Sequence, residues 1–239
     1  MKMWIDPHLR KSCITSIWPR RSSELRRHGR RLADWRWLSI PFGPMDEIIR
    51  RHVDQAVEGL QRMDGERVAE IRAAAALMID CLRSGGAIWV CGNGGSAADA
   101  QHIAAELSGR FLRDRPALNC AALSTNTSNL TAIGNDYSYE RVFARQVEAH
   151  ARKGDVLWVL STSGNSANIL EAVRAAREKG VKVVAFTGRS GGKLLAVSDV
   201  CFKAPAETSC AIQQLHEVAY HAVCDIIERQ AEELTGGDN

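Results

Sequence analysis

The chain has 239 residues, of which 45% are hydrophobic and 25% charged, with a formal net charge of +3. That balance is typical of a soluble globular protein with one sizeable core, and it excludes a low-complexity or collagen-like chain. No apolar run reaches the length of a membrane span.

The charge is unevenly spread. Residues 1–44 hold ten Lys and Arg against three Asp and Glu, a net +7 that leaves −4 on the remainder. An acidic body argues against nucleic acid as a partner of the folded part, because duplex binding draws on clustered Lys and Arg.

Within the leader, Arg20-Arg21, Arg26-Arg27 and Arg30-Arg31 alternate with Trp4, Trp18, Trp35 and Trp37 without a helical or strand period. A transit peptide and a nucleic-acid-binding arm share this composition. The reading adopted is a basic, disordered or non-native leader over 1–44, with Met45 as the expected start and a single domain over 45–239.

From Met45 the elements follow in order. Two helices are expected over 46–63 and 65–84, with apolar positions at Ile48, Ile49, Val53, Val57 and Leu60, then Val68, Ile71, Ala75, Met78 and Leu82. Asp46 and Glu47 suit the positive end of the first helix dipole. The pair is expected to pack on each other or on another subunit.

Strands and helices then alternate. Strands are predicted near 87–91, 118–123, 155–160 and 182–187, helices over 96–109 and 166–179, and helical turns over 127–134 and 139–151. A short strand near Val200-Cys201-Phe202 follows the loop Gly188-Arg189-Ser190-Gly191-Gly192, and a helix from Thr208 to Leu234 closes the chain. This order implies right-handed βαβ units and a parallel sheet, an α/β fold.

Two strand-to-helix junctions carry the chemistry. Val156-Leu157-Trp158-Val159-Leu160 reads as a buried strand and leads into Ser161-Thr162-Ser163-Gly164-Asn165-Ser166 ahead of a helix. A helix N-terminus offers unpartnered N–H groups and a positive dipole end, and the hydroxyls add donors, so the junction suits a phosphate. It matches neither the dinucleotide fingerprint nor the P-loop, which points to a phosphorylated small molecule. An ordinary polar loop with a Ser N-cap is the bland alternative.

The second junction, Gly92-Asn93-Gly94-Gly95-Ser96, follows Ala87-Ile88-Trp89-Val90-Cys91. In open parallel sheets such loops meet beyond the carboxyl ends of the strands, so one shared site is expected.

On the helix after the glycine loop, His102 and Glu106 lie about 40° apart around the axis, with Arg110 one turn further near that face. On the last helix, Gln213 and His221 are roughly 80° apart. His216 competes with His221, the two facing about 140° apart. A lone His-x-x-x-Glu pair is equally a surface hydrogen bond, and spacing alone does not choose between the two histidines.

The seven cysteines, Cys13, Cys81, Cys91, Cys120, Cys201, Cys210 and Cys224, are odd in number and contain no C-x-x-C pair. They read as reduced residues, mostly of the core, in a cytoplasmic protein.

Gly92 through His102, Ala105-Glu106-Leu107-Ser108-Gly109-Arg110-Phe111, Ile133-Gly134-Asn135-Asp136, Ser161 to Ser166, and Ile212-Gln213 through His221 stand in an order and spacing that resemble the sugar isomerase (SIS) domain family. Specifically, they resemble its branch that isomerises phosphorylated heptoses. The resemblance spans Met45 to the C-terminus.

It implies a flavodoxin-like parallel sheet flanked by helices, with N-terminal helices, and a homotetramer with active sites between subunits. The implied reaction converts D-sedoheptulose 7-phosphate to D-glycero-D-manno-heptose 7-phosphate through an enediol. Carried over by motif, Ser161, Thr162, Ser163 and Ser166 hold the phosphate, and Asn93, Gly94, Gly95, Ser96, Arg110, Asn135, Asp136 and Gln213 contact substrate. His102, Glu106, Gln213 and His221 match a site for one zinc ion per subunit.

Glu106 is then the base and His221 its partner, an assignment that favours His221 over His216. A carboxylate bound to zinc is a weaker base, so Glu106 cannot be a tight ligand and a free base at once. Gln214 stands where relatives usually carry Glu, and Cys210 and Ala211 where charged residues are common. The implied alternative is a non-catalytic SIS relative that binds a replication initiator, but that relative lacks the Glu and the final His. A sugar-phosphate-sensing regulator would need a DNA-binding unit in residues 1–44, where no helix-turn-helix pattern stands.

Overall fold

The computed structural model describes residues 43–234; the expected leader lies outside the described residues but for its last two. The compact unit that begins at Pro44 opens with α1 (Pro44–Gln61) and α2 (Gly65–Arg83). Asp64 starts α2 by accepting the Arg67 N–H at 3.0 Å, a side-chain N-cap.

The sheet follows: β1 (Ile88–Gly92), α3 (Gly95–Ser108), β2 (Cys120–Ala122), α4 (Thr127–Asp136), a 3-10 turn at Tyr139–Arg141, α5 (Ala144–His150), β3 (Val156–Ser161), α6 (Ala167–Glu178), β4 (Lys182–Gly188), α7 (Leu194–Val197), β5 (Val200–Ala204), α8 (Ser209–Glu228) and α9 (Ala231–Leu234). All five strands are parallel, in the order β2-β1-β3-β4-β5. This is the flavodoxin-like order, whose direction reverses between β1 and β3.

Burial on both faces explains why β3 reads as an unbroken apolar run: all six of its residues are buried. Trp158 and Leu160 point into a core shared with α2, α3 and α8, while Leu157 and Val159 point to the opposite core with α5 and α6. The Asp155 carboxylate joins the starts of β1 and β3, accepting from the Ala87 N–H and the Trp89 indole, each at 2.9 Å.

The helical turns expected over 139–151 are a 3-10 turn and a separate α5, because Val142 and Phe143 are drawn into the core between them. The expected loop over 188–192 is followed by the short α7, which starts after Gly191 and Gly192, both at positive φ. One local expectation is corrected. The closing helix breaks at Arg229-Gln230 into α8 and α9, with neither Gly nor Pro to mark the break.

α1 packs on α8, where Gly59 lies against Leu215. Its other side leaves Met45, Ile48, Ile49, Val53, Val57 and Leu60 exposed. No helix among the described residues is long and apolar enough to cross a membrane. Of the described cysteines, Cys81, Cys91, Cys120 and Cys224 are buried free thiols, and burial pushes Cys81 up to about 11 and Cys224 to about 12, which keeps them protonated.

Candidate active site

β1 and β3 are neighbours in the sheet, with Gly92 opposite Leu160, so the loops that leave them emerge side by side at the switch point. Gly94, at φ 57°, caps α3 and Ser166 caps α6, neither with a side-chain hydrogen bond. The first N–H groups of both helices therefore stay open to an anion.

The two loops are clamped together. The Asn93 and Asn168 side chains exchange hydrogen bonds at 2.8 Å in both directions, and the Tyr139 hydroxyl donates to Asn93 Oδ1 at 3.1 Å. Asn93 thus spends its amide on positioning α6.

In the hydroxyl loop, Ser161 Oγ lies 3.2 Å from Ser166 Oγ, Thr162 Oγ1 lies 3.3 Å from Ser209 Oγ at the start of α8, and Ser163 Oγ accepts the Asn165 N–H at 3.1 Å. Behind it stands the loop before α7. A Cβ on Gly164 would meet the Gly191 carbonyl oxygen at 2.2 Å, and one on Gly192 would meet the Ser163 oxygen at 2.5 Å. The Lys193 N–H donates to Asn165 Oδ1 at 3.0 Å, which completes the buttress.

Gln213 reaches across from α8 to the other loop: a Cβ on Gly95 would lie 2.1 Å from its Nε2. Only glycine leaves the amide room beside the start of α3.

Two turns further along α3, His102 Nε2 lies 2.9 Å from Glu106 Oε1, and Nδ1 lies 3.0 Å from the Tyr220 hydroxyl. His221 meets His102 edge-on at 5.1 Å and stacks on Phe111 at 5.4 Å and 15°. Phe111 is itself anchored: the buried Glu228 carboxylate accepts the N–H groups of Phe111, Leu112 and Arg113 at 2.8, 2.8 and 3.0 Å.

Two acids crowd this cluster. Ligand atoms of His102, Glu217 and His221 all lie within 4.8 Å of one another, a grouping suited to a metal ion. Asp99 has a buried Oδ2 with no hydrogen-bond partner. Burial pushes its carboxyl up to about 6, the charge of Glu217 adds to the rise, and His102 opposes it.

The structure thus brings His102, Glu106 and His221 together from α3 and α8. His216 stands apart: it is fully buried, donates from Nε2 to the Thr187 carbonyl at 3.0 Å, packs on Phe186 and Phe202, and has its pKa lowered by burial to about 4. Arg110 is not on the helix face, because α3 ends at Ser108; it is exposed in the loop that follows.

Asn135 and Asp136 are exposed at the end of α4 and bonded to each other at 2.8 Å. Asp136 borders a depression of about 410 Å³ with Tyr137, Arg145 and His150, whereas Thr162 borders another of about 520 Å³ with Gly188, Arg189 and Ile212. Within the chain these are separate surfaces.

Sequence reasoning passed over Asp99, Glu217, Tyr220 and Asn168. Helical spacing held the signal for two of them, since Asp99 precedes His102 by three residues and Glu217 precedes His221 by four. The contacts of Tyr220 and Asn168 cross between distant segments and left no local pattern.

The SIS domain model matches residues 51–188, more than half of the chain, and the chain belongs to that family. Within it the relatives are phosphoheptose isomerases. The phosphoheptose isomerase of Rhodospirillum rubrum is 50% identical over 184 residues, covering 77% of this chain and 97% of the relative. The solved structure of phosphoheptose isomerase from Neisseria gonorrhoeae matches with TM-score 0.73 at 46% identity, over 77% of this chain and 99% of that one. The one from Francisella tularensis matches with TM-score 0.75 at 36% identity, over 79% and 100%.

Proposed function

We propose that the protein is an aldose–ketose isomerase that converts D-sedoheptulose 7-phosphate to D-glycero-D-manno-heptose 7-phosphate, a precursor step for heptose biosynthesis. The observation that carries the reading is the convergence of Glu106, His102 and His221 from α3 and α8, two helices that start at the glycine-rich loop and against the hydroxyl loop, whose hydroxyls and open helix end suit a phosphate. Relatives at 50% and 46% identity bear the name of this activity, and nothing among these observations favours the non-catalytic, initiator-binding alternative.

Ser161, Thr162, Ser163 and Ser166 hold the phosphate with the first N–H groups of α6. Asn93, Gly94, Gly95, Ser96, Arg110 and Gln213 shape the remaining sugar pocket, with Asn135 and Asp136 supplied at the junction of subunits. Glu106 takes a proton from C1 of the ketose and returns it to C2, while His221 moves the proton between the two oxygens. The atoms of substrate and product are the same, so no co-reactant is needed.

The donor set fits a zinc ion. Two imidazoles stand among three carboxylates, one of which keeps a buried oxygen without a partner. The resemblance assigns His102, Glu106, Gln213 and His221 to hold it, one ion per subunit. When bound, zinc supplies Lewis acidity toward the substrate oxygens.

The same reading makes the enzyme a cytoplasmic homotetramer, a single SIS domain over 45–239, with no nucleic acid or membrane partner. The exposed apolar row of α1, from Met45 to Leu60, supports burial against other copies.

Turnover of sedoheptulose 7-phosphate by the purified chain, with Glu106→Gln alongside, tests the function. Turnover abolished by the substitution supports it, and an inert wild type with zinc supplied overturns it.

A further inference from the structure

The connection from α3 to β2, residues 109–119, contains neither helix nor strand, so no ladder of backbone hydrogen bonds fixes its course. Two buried charges do. Side-chain exposure is 2% for Arg115 and 0% for Glu228, and Arg115 Nε lies 3.5 Å from Glu228 Oε1.

Each partner holds a different stretch of main chain. Arg115 donates to the carbonyls of Glu106 at 2.6 Å, Leu107 at 2.7 Å and Gly109 at 3.1 Å. The first two belong to the last turn of α3, where the helix itself supplies no donor. Glu228 accepts the N–H groups of Phe111, Leu112 and Arg113. Burial raises the pKa of its carboxyl, but these N–H groups and the Arg115 charge more than reverse the rise, so it stays ionised.

The loop held in this way carries Phe111, whose ring lies flat against His221. Tyr220 and His102 meet the same imidazole at steep angles, 69° and 74°, so among the described residues Phe111 makes its one parallel contact. Glu228 follows His221 by seven residues, which returns it to within about 20° of the same face of α8. The carboxylate therefore ties the loop back to the helix that bears the histidine.

We propose that Glu228 is a positioning residue for the isomerisation: paired with Arg115, it fixes the loop so that Phe111 clamps the His221 ring in the orientation proton transfer needs. The inference rests on the isomerase reading above, in which His221 serves Glu106, and it leaves every ligand and substrate contact as assigned there.

A buried ion pair is a weak source of stability, since desolvation offsets its attraction and apolar side chains would fill the same space. Apolar side chains would lack direction. The charged pair orients main-chain groups on both sides of the end of α3 at once. Direction matters to proton transfer, because a ring that turns aims its nitrogen away from the sugar oxygens.

The test reads turnover by the full-length protein beside the ring-proton shifts of His221, which the face of Phe111 moves upfield. Phe111→Leu is expected to lower kcat about tenfold with KM within about twofold of wild type, whereas Phe111→Tyr keeps the ring and the wild-type kcat. Glu228→Gln keeps the shape and removes the charge. It is expected to lower kcat about tenfold and to move the His221 shifts toward those of Phe111→Leu. Combining Glu228→Gln with Phe111→Leu should cost no more than about tenfold, because both changes cut one link. Glu228→Asp, which keeps the charge and withdraws it by one methylene, is read in the same way where Glu228→Gln does not fold. A loss of about a hundredfold in the double variant, or unmoved His221 shifts in the folded Glu228 variant, overturns this inference alone. A wild type inert with zinc supplied overturns the isomerase reading and this inference with it.

Discussion

The Tyr220 hydroxyl and His102 Nδ1 stand 3.0 Å apart, with the opposite nitrogen of the same ring 2.9 Å from Glu106. Burial pushes the Tyr220 phenol up, so it keeps its proton and, on the metal-free ring, donates to Nδ1, which leaves the hydrogen on Nε2 to point at Glu106; a cation bound at Nε2 would replace that hydrogen. A phenol thereby fixes a tautomer and, through it, the orientation of the base.

Tyr220→Phe keeps the buried ring and removes only the donor. Stability is expected to fall by about 1 kcal/mol, and kcat by about tenfold with KM little changed. Nitrogen chemical shifts of His102 would report the loss of a single tautomer, a change that a purely packing role for Tyr220 would not produce.

Two glycines distinguish a movable obstacle from a fixed one. Gly95→Ala sets a methyl 2.1 Å from the far end of the Gln213 side chain, which can swing away. Melting temperature should hold while KM rises about tenfold. Gly164→Ala meets a backbone carbonyl at 2.2 Å with φ at +64°, and should lower stability by about 2 kcal/mol or more in urea unfolding.

Ser166 offers a test of the phosphate assignment that spares the helix. Aspartate is as good an N-cap as serine, so Ser166→Asp should leave the melting temperature unchanged. Its charge should nevertheless abolish competitive inhibition by inorganic phosphate, whereas Ser166→Ala should weaken that inhibition only about tenfold.

His216 makes stability depend on acid. Its pKa in the folded chain is lowered to about 4 from 6.5, so the stability it contributes is complete above 6.5 and is lost as the pH falls through 4. The expected loss approaches about 3 kcal/mol at the acid end. His216→Gln keeps a donor for the Thr187 carbonyl and should flatten unfolding free energy between pH 6 and 4.

The fold was legible wherever burial repeats along the chain. β3 is apolar at every position up to Ser161 because both of its faces are covered, and the junctions at Gly94 and Ser166 announce themselves by residue type. The breaks at Val142-Phe143 and Arg229-Gln230 carry no Gly or Pro and follow from tertiary packing, which local propensity does not record. Around the candidate site, His102 and Glu106 share a helix face and could be paired on spacing, whereas the approach of Tyr220 to His102 depends on how α8 crosses α3. Asn168 looked like any first-turn residue; its reciprocal bond with Asn93 exists only once β1 and β3 are neighbours.

The contact of Gly164 with Gly191, and of Gly192 with Ser163, is main chain against main chain. Neither loop can lengthen, shorten or acquire a side chain there while its counterpart stays as it is. For anyone redesigning the phosphate pocket, the residues 161–166 and 188–194 form one interchangeable part: grafted together they carry their own support, and grafted singly they collide with the host.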